Sequence, residues 1–228
     1  MSSALSSPLD SQKKKPLNIL VLVSGGGTNL QALLNAFSKS TPPDSSGDNV
    51  TRNIKIAAVL SDREGAGALE RARAANIPAL LEKPDSRLPK PQRRQELSDR
   101  ILHVCREKQI GLIVFAGFLS ILAGDIIKEY SGKMINIHPA LLPKFGGEGM
   151  HGERVHKAVL AAGETESGCT VHLVDAGTDT GPILLQRKAP VLPGDTAASL
   201  AERVLKEEHI AIVEGVNMMA AKLEGYNE

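Results

Sequence analysis

The sequence has no tryptophan, and aromatic residues make up only 3% of its 228 positions. Stacking platforms for single-stranded nucleic acid have little material here. An excess of one charge is missing too: 27 Lys and Arg face 26 Asp and Glu, a net charge of +1. No global positive field therefore holds a polyanion by counterion release, and no nucleic-acid partner is expected. Only two cysteines occur, Cys105 and Cys169, both inside apolar runs. That excludes a disulfide framework or a Cys-rich zinc site and suits a reducing, cytoplasmic setting. No apolar run reaches the length of a membrane span, so no membrane partner is expected. The first fifteen residues are Ser-rich, end in three lysines and lack the apolar core of a secretory signal. We expect a disordered tail over 1–16 and a single domain over 17–228. Met1 and the polar end at Glu228 suggest a complete, monofunctional chain.

What is present is a repeating alternation of short apolar runs and amphipathic stretches. LNILVLV, from Leu17, is a continuous β-branched-rich run followed at once by SGGGTNLQALLNAF. This pattern predicts strand, tight turn, helix, with Thr28 or Asn29 as cap and Leu30, Leu33, Leu34 and Phe37 on the buried stripe. The segment 40–49 has no apolar residue and reads as a loop. A second strand over Ile54 to Leu60 leads into a helix that ends before Ile77 and Pro78. After a Pro-rich stretch, Leu97, Ile101, Leu102 and Cys105 share one face of another helix. GLIVFAG (111–117) and MINIH (134–138) are further buried strands. Apolar runs alternating with helices mean parallel strands joined by crossovers. CTVHLV, PILLQ and KAPV lie too close together for helical crossovers, which predicts a mixed or antiparallel extension. A long helix opened by Asp195 or Thr196 closes the chain, with Leu200, Val204, Ile212, Val216 and Met219 as core contacts. The fold class is therefore α/β, a Rossmann-like open sheet flanked by helices.

The turn Ser24-Gly25-Gly26-Gly27-Thr28-Asn29 sits between a strand and a helix. Its glycines let backbone N–H groups approach an anion, and the helix N-terminus adds partial positive charge. Leu30 stands where a dinucleotide fingerprint wants a third glycine, Leu60 and Ser61 where it wants an acid, and no Walker lysine follows. A single phosphate monoester on a small substrate fits this turn better than NAD or ATP. In Asn136-Ile137-His138-Pro139, residues two apart on a strand put an amide and an imidazole on one side, at the strand end where open α/β sheets bind ligands. Asp179, in a Gly-rich loop, can approach His138 and support its charged form, or it can simply hold its own loop by an Asx-turn. Asn, His and Asp together suit acyl transfer, with donors for an oxyanion and a supported imidazole for proton movement. His151, Glu153 and His156 lack the spacing of a zinc helix, so no metal is expected. His172 can face either the site or the core.

These residues resemble the phosphoribosylglycinamide formyltransferases, folate-dependent enzymes of purine synthesis. The resemblance runs through SGGGTNLQALL, SDREGAGALERARAANIPA, VFAGFLSIL, MINIHPALLPK, SGCTVHLVDAGTDTGPILLQ and EEHIAI. It implies transfer of a formyl group from 10-formyltetrahydrofolate, as co-substrate, to the amine of glycinamide ribonucleotide. It further implies Asn136, His138 and Asp179 as catalytic, and Gly26, Gly27, Thr28 and Asn29 as phosphate-holding. Glu208 would lie near the glycinamide end. Arg94, Leu119, Ser120, Ile121, Leu122, Asn136, Asp175 and Asp179 would bind folate. The N-terminal half would hold the ribonucleotide and the C-terminal half would complete the folate site.

Under that resemblance the amine attacks the formyl carbon, Asn136 and protonated His138 meet the oxyanion, and Asp179 keeps the imidazole charged. Two departures stand out. Ser120 occupies a position where some members carry Arg, and the loop 144–156 is longer than the family's link. The register of a basic folate contact stays open between Arg93, Arg94 and Gln95. The same trio would serve another formyl transferase or a formyltetrahydrofolate hydrolase, whose extra domains have no room in this chain. A non-catalytic nucleotide-binding module would leave the trio without a role. The chain is expected to be a monomer or weak homodimer.

Overall fold

A computed structural model describes residues 15–37 and 53–225. Most of the expected tail, and the loop 40–49, lie outside the described residues. The elements run β1 (Leu17–Val23), α1 (Thr28–Phe37), β2 (Ile54–Ser61), α2 (Gly67–Ala74), β3 (Ala79–Leu81), α3 (Lys90–Glu107) and β4 (Leu112–Phe115). The second half contains α4 (Asp125–Glu129), β5 (Met134–His138), α5 (Glu153–Ala161), β6 (Glu166–Leu173), β7 (Ile183–Pro190) and α6 (Ala197–Gly225). Seven strands form one sheet in the order β3-β2-β1-β4-β5-β6-β7. The pairs from β3 to β5 are parallel, whereas β6 and β7 add antiparallel to the β5 side.

The continuous apolar run of β1 follows from burial on both faces. Ile19, Val21 and Val23 point into one core with α1, α2, α5 and α6, while Leu20 and Leu22 point into the other with α3 and α4. The stripes expected on α3 (Leu97, Ile101, Leu102, Cys105) and on α6 (Leu200, Val204, Ile212, Val216, Met219) are all buried. Thr196 caps α6, its hydroxyl accepting from the Ser199 N–H at 3.1 Å. Among the described residues no helix is long and apolar enough to cross a membrane.

Four local features differ from the sequence expectation. PILLQ and KAPV are one strand, β7. Its Gln186-Arg187-Lys188 break in hydrophobicity reflects an edge strand with a solvent-facing side, and Arg187 is held there by Glu207. The three-residue strand β3 is too short to show a period, and α5 follows a Gly-rich loop that hides its start. Thr28 is already the first helical residue of α1, and the Asn29 side chain turns away to Glu208.

The chain winds from β1 to β2 and β3 on one side, then returns to β4 and β5 on the other. The loops after β1 and β4 therefore diverge, and a crevice opens at their carboxyl ends.

Candidate active site

A cleft of about 870 Å³ occupies that crevice. Its floor is the end of β5, where Asn136 and His138 are two residues apart and both line the cleft, joined by Asp179 from the loop between β6 and β7. His138 is 3% exposed, and its Nε2 lies 2.8 Å from the Phe145 carbonyl. A carbonyl can only accept, so Nε2 carries a proton and donates it. The other nitrogen, Nδ1, faces Asp179 Oδ2 at 3.5 Å. Burial pulls the imidazole below its ordinary pKa more strongly than Asp179 and the Phe145 carbonyl lift it, with His172 adding to the fall. The ring is therefore disposed to rest neutral, with Nδ1 beside a carboxylate that would stabilise it once protonated.

Asp179 is held from several sides. Its Oδ2 accepts from the Gly147 N–H at 3.0 Å, and its backbone is left-handed at φ 58°. Burial alone would raise its carboxyl. His172, the Gly147 N–H and His138 together outweigh burial and hold the pKa below the usual carboxylate value. Phe145, which supplies the carbonyl opposite His138, is also left-handed at φ 57°. Such conformations are uncommon for non-glycine residues and persist where packing fixes them. Gly146, next to Phe145, is tightly placed: an added Cβ would lie 2.5 Å from Leu142 Cδ2 and 3.3 Å from Asp179 Cβ, so both side chains would have to shift.

His172, left open by the sequence, faces the site. Its Nδ1 donates to the Leu173 carbonyl at 2.8 Å, and its Nε2 lies 3.1 Å from the Asn136 amide nitrogen and 3.5 Å from Asp179 Oδ1. The second Asn136 N–H points to Asp179 Oδ1 at 3.4 Å. His172 and Asn136 are register partners across β5 and β6, a pairing that cannot be read from either strand alone.

On the far wall, Asn29 Nδ2 donates to Glu208 Oε2 at 2.7 Å. Burial pushes the Glu208 carboxyl up against the lowering effect of Asn29. Asn29 Oδ1 is buried without a partner, an acceptor left for a ligand donor. Gly26 and Thr28 are exposed, and of the turn only Asn29 lines the cleft. Gly27 has φ 76°, and a Cβ there would meet Ala68 Cβ at 2.6 Å. Gly27→Ala is therefore expected to destabilise the fold by about 1–3 kcal/mol, measured by urea unfolding, and to disturb the turn. A loss under about 0.5 kcal/mol would contradict this close packing.

Leu119, Ser120, Ile121 and Leu122 line the opposite side, as do Lys90, Arg93 and Arg94 of α3. Gln95 turns away toward Asp99 and Gly124, leaving the two arginines. Lys90 and Arg94 reach Glu148 of the long loop at 2.8 and 3.6 Å. Asp175 also lines the cleft, while its Oδ1 accepts from the Gly177 N–H and the Thr180 hydroxyl and so organises the loop that carries Asp179. Among the described residues no cluster of His, Cys, Asp or Glu is suited to a metal ion. His156 of α5 lines the cleft, buried, with its Nδ1 unpartnered. The sequence offered it only as a metal ligand.

Burial is the leading cause holding His138, His156 and His209 below the ordinary histidine value of 6.5. Each favours the neutral ring in the folded state, so the stability tied to them is complete above about pH 6.5 and is lost as pH falls through their lowered values. The melting temperature is expected to fall between about pH 7 and pH 5, and less steeply in His156→Gln. A flat profile would contradict it.

The chain was compared with known proteins. The formyl transferase family model matches residues 17–216. The trifunctional purine biosynthetic protein adenosine-3 of Drosophila pseudoobscura pseudoobscura is 40% identical over 211 residues, 92% of this chain and 14% of that protein. The chloroplastic phosphoribosylglycinamide formyltransferase of Vigna unguiculata is 37% identical over 201 residues, 88% of this chain and 60% of that protein. The chain thus spans less than two thirds of these curated relatives. Among solved structures, glycinamide ribonucleotide transformylase 1 from Symbiobacterium toebii has a TM-score of 0.79 at 34% identity, covering 95% of this chain and 94% of that one.

Proposed function

This chain belongs to the formyl transferase family, and on that footing we propose that it transfers the formyl group of 10-formyltetrahydrofolate to the amine of glycinamide ribonucleotide. The observation that carries the reading is His138, held between the Phe145 carbonyl and the Asp179 carboxylate beside Asn136. This trio lies on the floor of a cleft shared by Asn29 and Glu208 on one wall and by 119–122 on the other.

The amine lone pair attacks the formyl carbon, and the carbonyl electrons move to oxygen. Neutral His138 takes the proton that the amine sheds and becomes an imidazolium beside Asp179, which stabilises that charge. The oxyanion is met by the Asn136 amide and by the Nε2–H of His138, for which it competes with Phe145. As the oxyanion collapses, the carbon–nitrogen bond to the folate breaks and His138, directly or through water, returns the proton to the departing nitrogen. Catalysis is thus assigned to Asn136, His138 and Asp179.

In this proposal Gly26, Gly27, Thr28 and Asn29 hold the substrate phosphate at the N-terminus of α1. Glu208, paired with Asn29, meets the glycinamide end. Arg94, Leu119 to Leu122 and Asp175 bind folate. The same reading takes the chain to be cytoplasmic, which suits two free, buried cysteines whose thiols burial raises to about 12. It works as a monomer or weak homodimer without nucleic acid or membrane.

Mass spectrometry of the two-substrate mixture tests this, with formylated ribonucleotide expected as product and a much higher KM for the substrate lacking its phosphate. Free formate with unmodified ribonucleotide would contradict it.

A further inference from the structure

Three strand ends meet at the point where the strand order reverses, and a buried carboxylate ties them together. Ser24 follows β1, Asp62 follows β2, and Leu119 and Ser120 lie beyond β4; these strands are adjacent, in the order β2-β1-β4. Asp62 is 8% exposed. Its Oδ1 accepts from the Ser24 hydroxyl and its Oδ2 from the Ser120 hydroxyl, both at 2.6 Å. Those lengths are in the charge-assisted range, and they offset the cost of burying a carboxylate. Ser24 Oγ accepts in turn from the Leu119 N–H at 2.9 Å, and the Ser24 N–H donates to the Gly117 carbonyl at 3.0 Å.

Neither Ser24 nor Asp62 lines the cleft, but what each leads to does bear on it. The Gly-rich turn begins at the residue after Ser24. Leu119 and Ser120 belong to the opposite wall. The other side of the turn is braced separately, by Arg71 Nε on the Gly26 carbonyl at 2.8 Å and by the Ala68 N–H on the Gly25 carbonyl at 3.1 Å. Asp62 is thus the joint between the two walls. Its oxygens are both committed, so it is not placed to bind a ribose as an acid near this strand end does in dinucleotide folds.

We propose that Asp62 is a positioning residue that sets the spacing between the turn 25–29 and the segment 119–122, and so governs affinity for both substrates while touching neither. The proposal rests on the formyl-transfer reading for what those substrates are.

Asp62→Ala, Asp62→Asn and Ser120→Ala test it by steady-state kinetics. Loss of these hydrogen bonds in Asp62→Ala is expected to raise both KM values about fivefold or more, with kcat changed by less than about twofold. Asp62→Asn recovers most of this, since its amide oxygen still accepts from Ser24 and its nitrogen can donate to Ser120. Ser120→Ala, a smaller cut, raises the folate KM alone. Unchanged KM values with only a lower melting temperature or fewer active sites would overturn the proposal, as would an Asp62→Asn enzyme as impaired as Asp62→Ala. Hydrogen exchange reads the joint without turnover. Faster exchange in both 24–29 and 117–122, with α3 and α6 unchanged, is expected in Asp62→Ala, and exchange unaltered in either segment would overturn the proposal. A wild-type protein that lacks formyl transfer, with Asp62→Ala still showing this exchange pattern, would sink the functional reading and leave the joint standing.

Discussion

His138→Ala lowers kcat by about 10³-fold while the protein stays folded, because it removes both the proton acceptor and an oxyanion donor. The ring is buried at the end of β5, yet its two nitrogens meet only the Phe145 carbonyl and Asp179, so truncation leaves a small cavity and no broken strand pairing. Circular dichroism and thermal unfolding separate a catalytic loss from a folding loss. The wild-type pH profile carries the sign of the mechanism. In the proposed mechanism neutral His138 is the base, and burial lowers its pKa from 6.5. Activity should therefore rise with pH along an acid limb centred below about 6.5 and then level off. Loss of activity on passing from pH 6 to pH 8 would mean that the imidazolium, not the imidazole, is needed at rest. His138→Ala with near-normal turnover would remove the residue from the mechanism.

Asp179→Asn is the second large effect, an expected loss of about 10²–10³-fold in kcat. The amide keeps the size of the side chain and its oxygen can still accept from the Gly147 N–H, so the loop remains in place. What disappears is the negative charge that lifts His138, and with it the stabilisation of the imidazolium formed during reaction. The acid limb of the profile should consequently shift to lower pH while the plateau falls. A lower plateau with an unmoved limb would mean that Asp179 acts on folate or on the loop rather than through His138.

Much of this site was legible in the chain itself. Asn136 and His138 are two apart on a strand ended by Pro139, and that spacing alone puts an amide and an imidazole together. The continuous apolar β1 run and the α3 and α6 stripes are equally local signals, the first set by burial on both faces and the stripes by a period of about 3.6. What stayed hidden depends on contacts between distant segments. His172 faces the cleft because β6 pairs with β5 in a register that opposes it to Asn136. Asp62 looked unremarkable one residue past a strand, and its importance arises only when Ser24 and Ser120 close around it. The downward pull on the His138 pKa comes from desolvation, a property of the folded environment rather than of neighbours along the chain. Phe145 contributes a carbonyl, a group every residue has, so nothing in its side chain pointed to the site.

Formyl transfer is tested most directly by following folate absorbance after mixing the protein with 10-formyltetrahydrofolate, first alone and then with glycinamide ribonucleotide. Turnover that begins only when the ribonucleotide is added is the predicted result. Deformylation at the same rate without it would contradict the transfer reaction and make the cleft a hydrolase site.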